Sequence, residues 1–334
     1  MKDSSLTKSI SYKDFKKEVL NDYKTIVISR EASLLGRKEV LSGKAKFGIF
    51  GDGKELPQVV MSKVFEKGDF RSGYYRDQTF MFSIKELSVE QFFAGLYSNT
   101  NFEEEPMSGG RQMGSHFSTV LVDENGEFKD LPNQYNISSD ISPTSGQMPR
   151  LLGLAMASKL FRTGNFNSKN LSTNGNEVAW GTIGNASTSE GLFFETVNAI
   201  GVHQVPAVIC VWDDDYGISV ENKDQTIKQS ISEALSGFQR NSKKEGFEIL
   251  TVNGWDYPNL INTYQKANDI SREKHIPIIV HVKELTQPIG HSTSGSHERY
   301  KSKERLDWEK KNDCNLKMRE WILENKIAIQ SELE

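Results

Sequence analysis

Residues Val178 to Val220 constrain the fold of this chain more than any other stretch. An apolar run, Val178 to Ile183, meets a turn of small residues, Gly184-Asn185-Ala186-Ser187-Thr188-Ser189-Glu190-Gly191. An amphipathic segment follows to about Gly201, and then a second buried-type run, Ala207 to Val211, stops at Trp212-Asp213-Asp214-Asp215-Tyr216-Gly217. The pattern is strand, turn, helix, strand, turn. In a doubly wound sheet the loops after consecutive parallel strands open on one edge, so Asn185 and Asp214 are expected to converge on one ligand. An amide oxygen, a carboxylate and a backbone carbonyl beside a helix N-terminus suit a hard divalent cation and a diphosphate.

The same rhythm continues downstream. Gln225 to Gln239 reads as a helix, Phe247 to Val252 as a strand, Tyr257 to His275 as a helix and Ile276 to Val282 as a strand, so the expected fold class is α/β with a doubly wound, mostly parallel sheet. Upstream, Ser11-Tyr12-Lys13-Asp14 opens a helix to about Leu41, read as an arm lying against the body or a partner. The segment GDGKELPQVVMSKVF opens another helix. Its Gly51-Asp52-Gly53 follows no strand-length run, so Asp52 reads as a turn residue. Ser88 to Tyr97 is a short helix, and Gln147 to Phe161 a longer one whose Gly153 and Ala157, four apart, suit either close helix packing or simple core packing.

Composition excludes several classes. With 41 basic and 45 acidic residues the net charge is −4, which argues against a nucleic-acid or anionic-membrane partner. No run approaches the roughly 18 apolar residues of a membrane span, and MKDSSLTKSI has no signal-type apolar region, so the expected location is the cytoplasm. Two unpaired-looking cysteines, Cys210 and Cys314, fit a reducing compartment and speak against zinc or thiol catalysis.

The central stretch resembles the thiamine diphosphate motif, Gly-Asp-Gly followed after about thirty residues by Asn, in the form found in the α subunit of the 2-oxo acid dehydrogenase first component. GNASTSEG is similar to the family's Gly-Asp-Gly-Ala-Thr-Ser-Glu-Gly, and DDDYGIS to its Asn-Asn-x-Tyr-(Ala/Gly)-Ile-Ser. The resemblance implies Mg²⁺ held by Asn185, Asp214 and the Tyr216 carbonyl, and a diphosphate held by Gly184, Ala186 and Ser187. Two metal ligands are exchanged: the family's Asp is Asn185 here and its Asn is Asp214. One carboxylate and one amide remain, which reads as a compensated swap; the contrary reading is a decayed site without metal.

Four further stretches carry the resemblance. Tyr75-Arg76-Asp77 resembles the family's Tyr-Arg-Asp, implying that Tyr75 and Arg76 reach the diphosphate; without the family it reads as a surface Arg–Asp pair. Arg111-Gln112-Met113-Gly114-Ser115-His116 is similar to the branched-chain members' Arg-Gln-Met-x-x-His and implies an active-site His116, the alternative being a loop histidine satisfied by backbone. Ser142-Pro143-Thr144-Ser145-Gly146-Gln147 resembles Ser-Pro-Leu-Ala-Thr-Gln and implies Ser142 beside the cofactor; alternatively it is a turn before a helix. Gly290-His291-Ser292-Thr293-Ser294 resembles the loop that closes over the cofactor, implying that His291 contacts the diphosphate side and assists acyl transfer. Such a Gly/Ser/Thr loop is mobile unless pinned, and in some animal relatives its serine is a phosphorylation switch. Trp212 stands where branched-chain members carry a phosphate-contacting Arg.

The resemblance implies three parts: a helical arm (1–45), an α/β domain for the Mg²⁺-diphosphate end of the cofactor (46–290), and the cofactor-side loop with C-terminal helices (291–334). It implies an oxidoreductase that decarboxylates a pyruvate-type or branched-chain 2-oxo acid and passes the acyl group to a lipoyl domain. A β-type half is needed for activity, as a separate subunit or a fused continuation, within an α homodimer or a heterotetramer. Ser331, Glu332 and Glu334 look like the start of a helix, so the polypeptide is expected to continue. The alternative is a non-catalytic homologue that keeps the fold as an interaction module.

Overall fold

The computed structural model describes residues 11–164, 169–293 and 295–334. Residues 1–10 of the expected arm and Ser294 of the cofactor-side loop lie outside the described residues.

The strands are β1 (Phe70–Ser72), β2 (Asn136–Ile137), β3 (Ala179–Gly184), β4 (Ala207–Trp212), β5 (Tyr216–Gly217), β6 (Val220–Glu221), β7 (Glu248–Asn253) and β8 (Ile278–Lys283). Six of them form one parallel sheet in the order β2-β1-β3-β4-β8-β7, while β5 and β6 pair as a small antiparallel ribbon. The α-helices among the described residues are α1 (Tyr12–Leu41), α2 (Glu55–Val64), α3 (Gln78–Ser83), α4 (Val89–Leu96), α5 (Gln147–Thr163), α6 (Gly191–His203), the single turns α7 (Asn222–Gln225) and α8 (Ile231–Ala234), α9 (Tyr257–Lys274), α10 (Lys303–Lys311), α11 (Cys314–Glu324) and the single turn α12 (Gln330–Leu333).

Strand side chains alternate between faces, and both faces of this sheet are covered, which is why β3 and β4 read as unbroken apolar runs. Trp180, Val208, Cys210, Trp212 and Val280 pack with α1, α2, α9 and α11 through Ile26, Leu56, Leu260 and Met318. Ala179, Ile183, Ile209, Val211 and Ile279 pack on the other side with α5 and α6 through Leu151, Ala155, Phe193 and Val197. The sheet is therefore doubly wound, as the periodicity implied.

Ser11 caps α1, its hydroxyl accepting from the Asp14 amide at 3.1 Å. The helix lies along the body and is tied to α3: Gln78 Nε2 donates to Ser29 O and to Ser33 Oγ. One expectation differs from what is found, and two strands were not foreseen. The helix expected over Gln225–Gln239 is broken into short turns, because Lys228 and Gln229 both take left-handed backbone and Ser230 is extended, its hydroxyl capping the next turn. Strands β1 and β2 had no period to reveal them at three and two residues. Among the described residues, no helix is long and apolar enough to cross a membrane.

Candidate functional site

The C-terminal ends of β1, β3, β4 and β8 surround a cavity of about 250 Å³. Its lining includes Tyr75, Arg76, Gly184, Asn185, Ala186, Ser187, Asp214, Tyr216 and His291, so nine residues singled out from the sequence come together. His116 and Ser142 do not line it. They hydrogen-bond to each other, His116 Nε2 to Ser142 Oγ at 2.9 Å, and the imidazole stands 6.4 Å from the Tyr75 ring.

Arg76 is buried and links three segments. Its Nη1 donates to Phe50 O at 2.5 Å, and its Nη2 reaches His291 O at 2.9 Å and His291 Nδ1 at 3.0 Å. The alternative reading, a surface pair of Arg76 with Asp77, is not formed. Asp77 turns inward, accepting from Arg71 Nε and Nη2, from Trp212 Nε1 and from the Thr182 hydroxyl. The described part of the Gly/Ser/Thr loop is pinned: Arg37 donates to Ser292 O, Thr293 N to Gly48 O, and Ile289 N to Asp52 Oδ2. Asp52 is the turn residue expected, and the turn is buried: Asp52 is 1% exposed and its carboxyl is raised by burial.

A guanidinium can donate to His291 Nδ1 only if that nitrogen is unprotonated, so the ring is the neutral tautomer with its proton on Nε2. Burial, reinforced by Arg76, lowers its pKa from 6.5 to about 3. The unfolded chain therefore takes up a proton between pH 6.5 and about 3 that the fold refuses. The stability from this group is full above pH 6.5 and is lost as pH falls through that window. NMR titration of the His291 ring should show a flat Cε1–H shift from pH 8 to about 5; an inflection near pH 6.5 would contradict the buried, Arg76-bound imidazole.

The three expected metal ligands meet, but not as an oxygen cage. Asn185 presents its amide nitrogen, donating to Tyr216 O at 3.1 Å and to Asn222 Oδ1 at 3.0 Å. Asp214 Oδ2 is bound by the Lys54 ammonium at 2.7 Å, and both side chains are buried. Burial alone would raise the Asp214 carboxyl; Lys54, helped by Lys301, outweighs it and holds the group below the usual carboxylate range. Mg²⁺ requires oxygen ligands in near-octahedral array, and here N–H groups and an ammonium face the oxygens. The expected Mg²⁺ site at Asn185, Asp214 and Tyr216 does not fit as the side chains stand.

The cavity does fit an anion. Tyr74 Oη is buried in the lining without a hydrogen-bond partner, an orphan donor. Ala186 and Ser187 open a short 3₁₀ turn (Ala186–Ser189), where the first amides of a helical turn lack partners within it. With the charges of Arg76 and Lys54, these donors face one cavity whose chemistry suits a diphosphate.

A family model described as "Dehydrogenase E1 component" matches residues 23–334. The chain belongs to this family. It is of the α type within it. It is 26% identical over 322 residues to a 2-oxoisovalerate dehydrogenase subunit alpha of Bacillus subtilis (strain 168), covering 95% of this chain and 85% of that one. It is 24% identical over 331 residues to a pyruvate dehydrogenase E1 component subunit alpha of Rickettsia prowazekii (strain Madrid E), with 97% and 87% covered. In this E1 α-type chain the site also holds Lys54, which sequence reasoning missed, since no local motif around it points to Asp214.

Proposed function

We propose that this chain is the α-type half of a thiamine diphosphate-dependent 2-oxo acid dehydrogenase, acting with a β-type half and delivering the acyl group to a lipoyl domain. The observation that carries it is the convergence of Arg76, Tyr75, Lys54 and the Ala186–Ser187 amides around one anion-sized cavity at the sheet edge. At about 250 Å³ the cavity falls below the roughly 300–1,000 Å³ of a complete small-molecule site. It suits the diphosphate end of the cofactor, the remainder being enclosed by the β-type half, so the chain alone is inactive.

When bound, the cofactor supplies the nucleophilic carbon and the electron sink for decarboxylation. Arg76 and Tyr75 would hold the diphosphate, together with Gly184, Ala186 and Ser187. His291 offers a neutral Nε2–H donor beside it, where it serves acyl transfer. His116, held by Ser142, stands behind Tyr75 outside this cavity, where it would act through the position of the Tyr75 ring. The substrate class is pyruvate or a branched-chain 2-oxo acid, and the location the cytoplasm. The Mg²⁺ of the sequence reading is left out of this proposal, because its donors face one another and Lys54.

Production with a β-type half tests the reading. The pair is expected to bind thiamine diphosphate and to release CO₂ from pyruvate or 2-oxoisovalerate, with neither chain active alone. An intact complex that binds no cofactor would instead favour the non-catalytic module. The small face of α5 supports assembly: Gly153 is exposed, and a side chain placed there would meet nothing within 4 Å. Gly153→Trp should therefore abolish the larger species in size-exclusion chromatography while shifting the chain's own stability by less than about 0.5 kcal/mol.

A further inference from the structure

We infer that the Lys54 ammonium takes the place of a divalent cation at this site, so that thiamine diphosphate is held without Mg²⁺. The inference rests on the cofactor reading above and concerns the charge that meets the diphosphate.

The ammonium is built in rather than passing by. Gly53 has φ +79° and a side chain there would strike Thr286 O, so only a glycine lets the chain descend onto that carbonyl. Lys54 follows immediately, 2% exposed, with Nζ 2.7 Å from Asp214 Oδ2 and 3.0 Å from Thr286 O. Two of its three N–H groups are engaged by these contacts, and Lys54 lines the cavity, which leaves the third for a phosphate oxygen. Gln287 completes the seat. In the amide orientation that satisfies both ends, its nitrogen donates to Asp214 Oδ2 at 2.9 Å and its oxygen accepts from Arg76 at 2.9 and 3.1 Å.

The second half of the site is locked in a direction that disfavours a metal. His281 Nε2 lies 2.8 Å from Asp213 Oδ2, and the Asn222 amide nitrogen donates to both oxygens of the same carboxylate. That fixes Asn222 with its oxygen toward Asn185, so Asn185 must donate through its nitrogen, to Asn222 and to Tyr216 O. Turning the Asn185 amide to offer oxygen to a cation would set it against two other oxygens. The Tyr216 carbonyl is occupied by the same amide.

Departures from the family pattern at two positions, and the residue found at a third, fit this reading. A carboxylate is lost at 185, one is gained at 214, and the gained one is met by a lysine at 54. The site keeps a positive charge beside the diphosphate, but as a tethered monovalent donor instead of a diffusible divalent ion. Lysine serves other phosphate sites as a point charge in the same way.

The experiment is calorimetric titration of the chain, complexed with its β-type half, with thiamine diphosphate, once in EDTA and once in excess Mg²⁺. The dissociation constants should agree within about threefold. Lys54→Gln combined with Asp214→Asn removes both charges without stranding a buried carboxylate. It should weaken binding about 100-fold in EDTA while the melting temperature confirms a folded chain. Adding Asn185→Asp to that pair should make binding Mg²⁺-dependent. Binding by the unaltered protein in Mg²⁺ but not in EDTA would overturn this inference and leave the proposed function standing. Binding in neither condition would overturn the proposed function, and this inference with it.

Discussion

Arg71→Met is expected to cost about 3–5 kcal/mol of folding stability, a large part of the 5–15 kcal/mol typical of a domain. Arg71 is fully buried, and its guanidinium donates to Asp77 through Nε and Nη2, to Asp140 through Nη1 and Nη2, and to Tyr74 O. Removing it strands two buried carboxylates that have lost their counter-charge. The damage spreads, because Asp77 also holds the Trp212 indole and the Thr182 hydroxyl, which tie the ends of β3 and β4 to β1. Urea unfolding followed by circular dichroism measures the loss. The triple change Arg71→Met, Asp77→Asn, Asp140→Asn leaves no stranded charge and should recover most of it. A single variant as stable as the parent would refute the claim that the two carboxylates depend on Arg71.

How far the chain could be read in advance follows from where its information lies. Strands buried on both faces appear as unbroken apolar runs, so β3, β4 and β8 were placed to within about two residues, and the edge strand β7, only partly buried, was found as closely from its β-branched residues. Strands β1 and β2 carry no such signal, yet β1 delivers Tyr74, Tyr75 and Arg76 to the cavity. The turn residues Lys228 and Gln229 broke an expected helix because left-handed backbone at non-glycine residues leaves no trace in hydrophobic spacing.

The site divides in the same way. Residues within local motifs, such as Asn185 to Ser187 and Tyr75-Arg76, were legible from the motifs. Lys54 was not, because its partner Asp214 lies 160 positions away and a lysine before an amphipathic helix ordinarily reads as solvated. Asp52 was legible as a turn residue, but its partner was not, because Ile289 of the distant loop comes to its carboxylate only in the fold. The pairing of His116 with Ser142 joins two resemblance segments that sequence order keeps 26 positions apart.

Arg76→Gln should weaken thiamine diphosphate binding about 100-fold, or about 2–3 kcal/mol, in the complex with the β-type half. The guanidinium contributes in two ways that the substitution removes together. It is a fixed positive charge in a cavity where the Lys54 charge is partly offset by Asp214, so the two cations share the attraction for a diphosphate. It also anchors His291, through both Nδ1 and the backbone oxygen, and so holds the cofactor-side loop over the site. Arg76→Lys keeps the charge but cannot reach Phe50 O, His291 O and His291 Nδ1 at once, so it should recover only part of the affinity. The imidazole provides an independent readout. Arg76 is the charge that most depresses His291 after burial itself, so in Arg76→Gln the ring's pKa should rise back toward 6.5 and a titration should enter the NMR profile. A variant with unchanged affinity and a His291 that stays neutral would remove Arg76 from both roles; a risen pKa with unchanged affinity would confine it to positioning the loop.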